Sequence, residues 1–570
     1  MKFRNWLFTF IVLVIAAIAS RDLFKPGYFP MHDDIQVMRL NEMEKCIRDG
    51  QFPCRWVPDM GAEYGHPLFN YHQPFPYYLG MLFRAFGMPY VDIVKLLFAL
   101  TFFLSGIFMY FLVKEIWGEK AGLISSIIFI FVPYRAVDVY VRGALTEIWG
   151  ITFFPLIFLA FYKYVKKENF FWFSISILSL SGLFLSHNIL TLLFVTFVIV
   201  WIGFWIYFFR KFKLIPRVII LFLWSISLSA FFVIPAFFER SQVTMQTLTT
   251  GYYDFQNHYA TFKQLLFDRS FGYGPSRTGP VDDMSFQLGW PHWILSVSTG
   301  LIAVFFFFKK YFSGKRKIDN GFKLGLLSVF LFIFWLISCF MTHSRSYFIW
   351  KFFPVIEFVQ FPWRFLALSM FFGSLLAGCL IFIIKNKWVA ISVIVVIPIL
   401  VVTLNLGYFK PLKMIKIDDK GMLSGEQWKR QSMTTLLDYY PVSVKVLPTD
   451  LAFKSPEFIV GSGEIGDFLK LSNRWEFSAD IKNGPAKIII PVFDFPNWNI
   501  LADKKEIDYL ADDKLGLIIV NLPKGAHKVE GNFIDTPLRN ACNKISLLSL
   551  IALTGYGLFN IYKKKNYENN

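Results

Sequence analysis

Two adjacent carboxylates, Asp33 and Asp34, follow the first apolar stretch of the chain. Two acids this close together at a membrane surface cannot both ionise at low cost. One of them should therefore have a raised pKa, or both should share a cation. Such a pair suits a general base that takes a proton from a hydroxyl, or part of a metal site. Helix capping is the alternative, because Asp favours the N-cap and the first turn of a helix, and spacing alone leaves both interpretations open.

A second charged group, Arg142 with Glu147, stands between two apolar stretches. Ionisable residues at membrane depth are costly and are usually paired or functional. One interpretation is a mutual ion pair that anchors the turn. The other gives Arg142 a phosphate to bind and gives Glu147 a supporting role toward Asp33 or a metal. A divalent ion such as Mg²⁺ or Mn²⁺ at Asp33, Asp34 and Glu147 is compatible with these residues but not required, since arginine can bind a single phosphate.

Further polar residues are candidates for substrate binding. Several lie among prolines and aromatic side chains, a composition typical of ordered loops at a membrane interface. They can form a stacking surface for a sugar or a headgroup, or donate hydrogen bonds to a phosphate. Interfacial anchoring and helix capping are the alternatives. The residues are His66, Tyr71, Gln73, His187, Arg345 and Arg364.

Several enzyme and binding classes are disfavoured by the sequence. It has no P-loop, no GxGxxG after a strand, no HExxH and no convincing nucleophilic triad. Any donor substrate should therefore arrive already activated from the membrane. The net charge of +18 falls in short basic clusters between apolar stretches. That distribution favours loops that fix membrane topology and argues against nucleic-acid binding.

The elements that must position these residues are membrane spans. The chain is 55% hydrophobic and 19% aromatic, more apolar than ordinary soluble domains, and a span needs about 20 mostly apolar residues. We therefore predict a polytopic α-helical membrane protein with about 12 transmembrane helices. The predicted spans are 4–21, 91–113, 119–136, 147–163, 169–187, 189–209, 215–236, 291–309, 323–341, 363–384, 388–406 and 544–562.

The basic clusters predict the orientation of these spans. With the N-terminus inside, every strongly basic short loop faces the cytoplasm, including Lys315–Lys317, and the chain ends inside with Lys563–Lys565. Both termini are thus expected in the cytoplasm of a bacterial-type cell, with the protein in its cytoplasmic membrane. Asp33, Asp34 and the Arg142 turn are expected on the extracytoplasmic face.

The first long outward segment, 22–90, is the predicted catalytic loop. A helix is expected after the acids, with an apolar face lying on the membrane. Cys46 and Cys54 share this loop, and a disulfide and two free thiols are equally compatible with the sequence. The residues of the predicted apolar face are Ile35, Met38, Leu40, Met43 and Ile47.

Another outward segment, 407–543, is long enough to be a domain. Short alternating apolar runs separated by turn signals predict a β-sandwich-like fold for it. The predicted domains are thus a transmembrane module at 1–406, the extracytoplasmic β-rich domain at 407–543, and a final helix with a basic tail at 544–570.

The order of these features resembles that of the GT-C glycosyltransferases, which use polyprenyl-phosphate-linked sugars as donors. Within that class, the chain is most similar to bacterial membrane proteins described as 6-pyruvoyl-tetrahydropterin synthase related. The resemblance spans nearly the whole chain. It rests on the order of short motifs, namely Asp33-Asp34, the aromatic stretch Asn70-Tyr71 to Tyr77-Tyr78, Arg142-Gly143 with Glu147, Ser186-His187-Asn188 and Gln360-Phe361-Pro362-Trp363-Arg364.

The resemblance implies a GT-C-like fold and a function. It places the general base for the acceptor hydroxyl at Asp33, while Asp34 stands where the family more often has Glu, so either acid can be the base. We expect an integral membrane glycosyltransferase that moves a hexose or pentose from a polyprenyl-phosphate donor. The acceptor hydroxyl would belong to a glycan, lipid or protein of the cell envelope. The alternatives are a transporter or flippase of a lipid-linked saccharide, and a non-catalytic envelope assembly factor.

Overall fold

The computed structural model describes residues 2–279, 281–312, 320–384, 386–434 and 439–568. The basic cluster Lys315–Lys317 lies outside these residues, and so do the side chains of Lys563–Lys565. The described chain is mainly helical, with one antiparallel β-sheet near its C-terminal end. This arrangement confirms the predicted combination of a helical membrane protein with a β-rich domain.

The helices follow in chain order, with short 3₁₀ turns between some of them. They are α1 (Lys2–Ser20), α2 (Gln36–Arg48), α3 (Leu68–Tyr71), α4 (Phe75–Arg84), α5 (Tyr90–Trp117), α6 (Glu119–Ile130), α7 (Pro133–Ala136), α8 (Leu145–Lys167), α9 (Phe170–Ser186), α10 (Asn188–Phe209), α11 (Ile215–Leu228), α12 (Ala230–Phe238), α13 (Trp290–Phe312), α14 (Asn320–Met341), α15 (Tyr347–Phe352), α16 (Leu366–Ile383), α17 (Lys387–Asn405), α18 (Asp419–Met422), α19 (Gly425–Thr434) and α20 (Pro537–Glu568).

Nine helices among the described residues are long and apolar enough to cross a membrane. Two more predicted spans are bent pairs: α6 with Pro133–Arg142, at 48°, and Phe212–Leu228 with α12, at 79°. The first bend falls directly before Pro133, where the proline ring disfavours a helical conformation of the preceding residue. The remaining predicted span is the shorter apolar helix α9. All twelve predicted stretches are thus helical, nine of them as single full-length spans.

The chain divides into two compact units, each discontinuous in sequence. The first unit comprises Met1–Asp33, Lys95–Ser225 and Thr249–Lys416. The second unit comprises Asp34–Val94, Ile226–Leu248 and Ile417–Asn570. The linear domain boundaries at 406/407 and 543/544 stay a prediction, because these packing units divide the chain at other positions.

Two helices of the first unit are buried along almost their whole length. The apolar window of α8 is 89% buried, and that of the span containing α16 is 83% buried. Phe154 and Phe158 of α8 contact Phe371 of α16 at ring-centroid distances of 5.7 and 5.0 Å. Charged residues at the N-terminal ends of these two helices therefore enter a protein interior.

The second unit contains the sheet. Alternating burial along the first part of β3 reflects apolar side chains on one face and polar ones on the other. Its strands are β1 (Glu457–Ile465), β2 (Leu469–Lys470), β3 (Arg474–Phe493), β4 (Trp498–Ala502), β5 (Lys505–Glu506), β6 (Tyr509–Ala511), β7 (Leu517–Leu522) and β8 (Gly525–Phe533).

All eight strands belong to one sheet, in the order β5-β4-β8-β3-β7-β6, with β1 and β2 also paired to β3. The long β3 pairs with β8 from Arg474 to Ile481 and with β7 from Ala486 to Phe493. This continuity refines the sandwich-like expectation, since one strand joins both halves of the domain into a single antiparallel sheet.

The helix predicted after the acidic pair is α2, but its apolar face does not lie on a membrane. Ile35, Met38, Leu40 and Met43 are all buried by protein, and only Ile47 is exposed, at 44%. Within the second unit, α2 packs against α4, α18 and α19. The membrane-facing expectation was wrong because an amphipathic pattern identifies the apolar face but not what covers it.

The predicted catalytic loop also contains a disulfide. Cys46 and Cys54 are bonded to each other in the second unit. The sequence was compatible with both a disulfide and two free thiols, and the structure shows the disulfide.

Candidate active site

The charged turn between two predicted spans is a buried ion cluster of the first unit. Arg142 contacts Asp138 through Nη1 and donates through Nη2 to Glu147 Oε2 at 2.9 Å. The hydroxyl of Tyr134 donates to Glu147 Oε1 at 2.7 Å. All four side chains are buried. Burial of these charges is tolerable because each is paired and hydrogen-bonded.

Local backbone structure brings these groups together. A π-helical turn, Val137–Arg142, follows α7 and carries both Asp138 and Arg142. Gly143 then takes a left-handed conformation with φ +65°, and α8 starts so that Glu147 lies in its first turn. The positive end of the helix dipole favours a carboxylate at that position.

The same turn positions Asp33. The His32 amide donates to the Val141 carbonyl oxygen at 3.0 Å, and the Asp33 amide donates to the Arg142 carbonyl oxygen at 2.8 Å. The Asp33 side chain is exposed. Its carboxylate makes no hydrogen bond or ion pair with any residue that the structure describes, yet its charge acts on Arg364. The backbone is thus fixed while the carboxylate stays available to a substrate.

Arg364 is the second guanidinium of the cluster. It lies in the 3₁₀ turn Pro362–Phe365 directly before α16, and its Nε is 3.6 Å from Glu147 Oε2. Its Nη1 donates to the Val359 carbonyl and to Gln360 Oε1, both at 2.8 Å. Its Nη2 makes no hydrogen bond within the described part of the chain. Arg364 therefore retains a donor for an anionic ligand, whereas Arg142 is largely engaged by carboxylates.

His187 joins the cluster from a helix boundary. Its Nδ1 accepts a hydrogen bond from the Leu190 amide at 3.1 Å and so caps α10. A neutral ring with an accepting Nδ1 carries its proton on Nε2, which lies 3.9 Å from Glu147 Oε2. His187 thus caps a helix and also faces the ion cluster.

A metal ion does not fit Glu147 in this arrangement. Its two oxygens already face Tyr134, Arg142, Arg364 and His187. A carboxylate surrounded by cations and donors is a poor ligand for another cation. Among the described residues, no three His, Cys, Asp or Glu side chains are grouped so that they could hold a metal. A metal ion at Asp33 or Asp34 stays a prediction, and no step of the proposed reaction is assigned to it.

Asp34 has different surroundings from Asp33. It belongs to the second unit, where its Oδ2 accepts from Arg430 Nη2 at 2.8 Å. Burial raises the pKa of Asp34 to about 6, against the opposing charge of Arg430. The N-cap residue of α2 is Ile35, and no side chain caps this helix. Neither acid therefore acts as the hydrogen-bonding cap that the spacing permitted.

Three predicted substrate-binding residues are buried in the second unit. Tyr71 donates its hydroxyl to the Glu239 carbonyl at 2.8 Å, and the His66 ring packs edge-on against Tyr440 at 5.7 Å. Gln73 is also buried. Tyr71 belongs to the hydrophobic core of this unit. Packing explains these residues without a ligand, and their predicted contact with substrate stays a prediction.

Arg345 is separate from this cluster in its contacts. It lies in the first unit in a 3₁₀ turn after α14, and its side chain is exposed. The guanidinium makes no hydrogen bond or ion pair within the described ranges. The structure shows no contact between Arg345 and the groups around Glu147.

The sequence interpretation missed an aromatic surface beside the cluster. The Arg142 guanidinium lies 4.6 Å from the Trp363 ring centroid, and Trp363 stacks on Phe361 at 4.7 Å. Phe361 in turn contacts Tyr252 at 5.9 Å. The sequence interpretation also gave no role to Asp138. Its position four residues before Arg142 on a helical segment indicates an ion pair between the two. No comparable signal links Tyr252 to the cluster.

The region that carries Arg142, Glu147 and His187 is similar to a known family of proteins. Residues 69–269 match a family model. It is the 6-pyruvoyl-tetrahydropterin synthase related domain, described as a membrane protein. Within residues 69–269 the match confirms the predicted similarity to this family, including the Asn70, Arg142 and Ser186 motifs. The Asp33-Asp34 and Gln360-to-Arg364 motifs lie outside the match, and their resemblance stays a prediction. The chain is also 25% identical over 284 residues to a protein of Lactococcus lactis subsp. cremoris (strain MG1363) described as uncharacterized. That alignment covers 48% of this chain and 44% of the relative, so it spans less than half of the relative's length.

Solved structures of the Archaeoglobus fulgidus oligosaccharyltransferase are also similar. One, tethered with an acceptor peptide containing the NVT sequon, has a TM-score of 0.41 and 15% identity, covering 73% of this chain and 56% of that one. Another, AglB with an inhibitory peptide and a dolichol-phosphate, has a TM-score of 0.34 and 14% identity, covering 72% and 55%. TM-scores of this size do not establish a shared fold, and this chain spans little more than half of those proteins.

Proposed function

We propose that this chain is a membrane glycosyltransferase of the GT-C type. It would transfer a hexose or pentose from a polyprenyl-phosphate donor to an acceptor hydroxyl of a cell-envelope glycan, lipid or protein. The reaction would take place on the extracytoplasmic face. The supporting observation is the exposed Asp33 carboxylate, which has no partner among the described residues and whose backbone is bonded to the Arg142 turn. The positions of the basic loops support a reaction on the extracytoplasmic face. The order of the motifs supports a polyprenyl-phosphate donor.

Asp33 is the proposed general base. Its carboxylate takes the proton of the acceptor hydroxyl while that oxygen attacks the anomeric carbon of the sugar. The bond between the anomeric carbon and the phosphate oxygen breaks, and its electron pair leaves with polyprenyl phosphate. The reaction thus forms one glycosidic bond, and the proton initially resides on Asp33. General-base catalysis of this kind contributes about 10²–10⁴-fold to a rate.

Arg364 is the proposed phosphate ligand. The leaving phosphate gains one negative charge, and Arg364 retains an Nη2 donor that no described residue uses. A preorganised donor aimed at developing charge contributes about 3–4 kcal/mol. Glu147 acts as a positioning residue, since it contacts both Arg364 and Arg142. Asp34 is assigned no chemical step because Arg430 already pairs with it.

A transfer assay with reconstituted protein tests this proposal. The protein is placed in vesicles of phosphatidylethanolamine and phosphatidylglycerol with undecaprenyl phosphate carrying a radiolabelled hexose or pentose, and a cell-envelope extract supplies acceptors. Transfer moves the label from the lipid to an acceptor and releases undecaprenyl phosphate. Movement of still lipid-linked label across the bilayer, with no release, would show a carrier instead. If the label neither leaves the lipid nor crosses the bilayer, the protein has neither activity toward these donors.

A further inference from the structure

Tyr252 is an exposed aromatic residue held in a defined position. It lies in a 3₁₀ turn of the first unit, and its side chain is 52% exposed. Its hydroxyl donates to the Ser276 carbonyl at 3.1 Å, and its own carbonyl accepts from His258 Nε2. An exposed tyrosine normally samples several rotamers, so bonds at both ends of the residue reduce the entropy lost when a ligand binds.

The partners of Tyr252 are themselves fixed. The His258 ring has Nδ1 2.8 Å from Ser276 Oγ, and Ser276 Oγ is 3.1 Å from Asp282 Oδ1. Gln264 donates to the other oxygen of Asp282 at 2.6 Å. His258 and Ser276 are buried. Tyr252 is therefore supported by a polar network and does not belong to a freely moving loop tip.

This tyrosine is connected to the ion cluster through a series of contacting aromatic rings. It contacts Phe361, which stacks on Trp363, and Trp363 lies beneath the Arg142 guanidinium. The charge of Arg142 acts on the Tyr252 hydroxyl, and that of Arg364 acts on His258. Phe361 and Trp363 are buried, so Tyr252 presents the exposed ring of this aromatic series.

We propose that Tyr252 is the stacking residue for the sugar of the donor, and that this sugar is a six-membered pyranose. The inference rests on the proposed function, in which Arg364 binds the donor phosphate; the Arg364 guanidinium lies 4.9 Å from the ring of Phe361, which Tyr252 contacts. The sugar ring is attached directly to that phosphate and is rigid, with an apolar face of C–H groups. An immobilised aromatic ring next to the phosphate site matches such a face. A flexible isoprenoid chain would gain little from this rigidity.

The affinities of two kinds of lipid show whether Tyr252 contacts the sugar or the isoprenoid chain. The probes are undecaprenyl phosphate and the same lipid loaded with glucose, galactose or N-acetylglucosamine, measured with the full-length protein in detergent. We expect at least one loaded lipid to bind wild type more tightly than the bare lipid. Tyr252→Ala should lower the affinity for that loaded lipid roughly tenfold, as expected when about 50–60 Å² of apolar surface stays exposed to water. It should leave bare undecaprenyl phosphate within twofold.

Two further variants distinguish loss of sugar stacking from a general disturbance of the protein structure. Tyr252→Phe keeps the ring and should bind the loaded lipid within about threefold of wild type. Tyr207→Ala removes a ring of similar exposure on α10 of the first unit and should change neither affinity. Equal weakening of both lipids by Tyr252→Ala, or no weakening, would overturn the sugar assignment. Tight binding of bare lipid with no gain from any sugar would also overturn it but leave the phosphate site intact. Wild type that binds none of the lipids would refute the proposed function itself.

Discussion

The backbone amide of Asp33 donates a hydrogen bond to the carbonyl oxygen of Arg142 at 2.8 Å. This bond joins the acid that follows the first span to the turn that precedes α8. It holds the backbone of Asp33 beside the ion cluster while the carboxylate remains exposed. The proposed base is therefore positioned by the main chain, and its carboxylate makes no structural contact with a described residue.

Gly143→Ala should disturb this attachment. An added Cβ would lie 2.2 Å from Met31 Sδ, and the φ of +65° is unfavourable for alanine. We expect a loss of roughly 1–3 kcal/mol in the free energy of unfolding and at least a tenfold lower kcat. Thermal unfolding and transfer assays measure the two effects. Adding Met31→Ala should restore part of the activity, and a Gly143→Ala variant with full activity would show that the turn need not position Asp33.

Arg142→Ala should destabilise the protein strongly. It leaves the buried Asp138 and Glu147 without their main cation, and breaking a buried pair costs about 3–5 kcal/mol. Arg345→Ala is the matched control, because that arginine is exposed and lacks a side-chain partner among the described residues. The control should stay within about 0.5 kcal/mol of wild type. Equal stability of the two variants would contradict the structural role of Arg142.

Arg364→Gln should affect catalysis more than folding. Glu147 keeps its contacts with Arg142 and Tyr134 in this variant, so we expect a smaller stability loss than in Arg142→Ala. Loss of the phosphate donor should lower kcat by about 10²–10³-fold. Arg364→Lys should recover part of that loss because it restores the charge. If Arg364→Gln retains wild-type kcat, the phosphate is bound elsewhere.

Burial of Asp34 should give stability a pH dependence that its pairing with Arg430 only partly offsets. The folded pKa of Asp34, about 6, lies above its ordinary value of 3.8 because the side chain is buried. The folded protein then binds the proton more tightly than the unfolded chain, so this residue lowers the free energy of unfolding as the pH rises from about 4 to 6. The loss should be roughly 1–3 kcal/mol.

Unfolding of wild type and Asp34→Asn across this pH range checks the effect. The variant should gain stability relative to wild type between pH 4 and 6, because asparagine does not titrate. Arg430→Gln should extend the fall to higher pH, since it removes the cation that favours the charged carboxylate and so raises the folded pKa further. A constant stability difference between Asp34→Asn and wild type would show that the Asp34 pKa is not raised by folding.

Long apolar stretches made most of the fold predictable. The twelve predicted spans are all helical, since burial and lipid exposure both require apolar residues there. Alternation along β3 likewise indicated the sheet. Burial of the α2 face by protein was not predictable, because Met38 and Leu40 show the same pattern whether lipid or protein covers them.

The part of the candidate site that could be predicted from the sequence consists of charged residues next to apolar spans. Arg142 and Glu147 stood out because ionisable residues beside a span are costly, and the structure brings both together with Arg364 and His187. The different surroundings of Asp33 and Asp34 depend on partners distant in sequence, such as Arg430. Local spacing carries no information about such long-range contacts.

Asp33→Asn tests the central claim most directly. The variant is compared with wild type and Asp34→Asn for transfer of a radiolabelled sugar from undecaprenyl phosphate, with thermal unfolding and lipid binding measured on the same preparations. Asp33→Asn should lower turnover by about 10²–10⁴-fold. Its donor binding and unfolding temperature should stay close to wild type, because no described residue bonds to that carboxylate. Asp34→Asn should retain most of the turnover. Wild-type turnover in Asp33→Asn, or a loss confined to Asp34→Asn, would contradict the assignment of Asp33 as the general base.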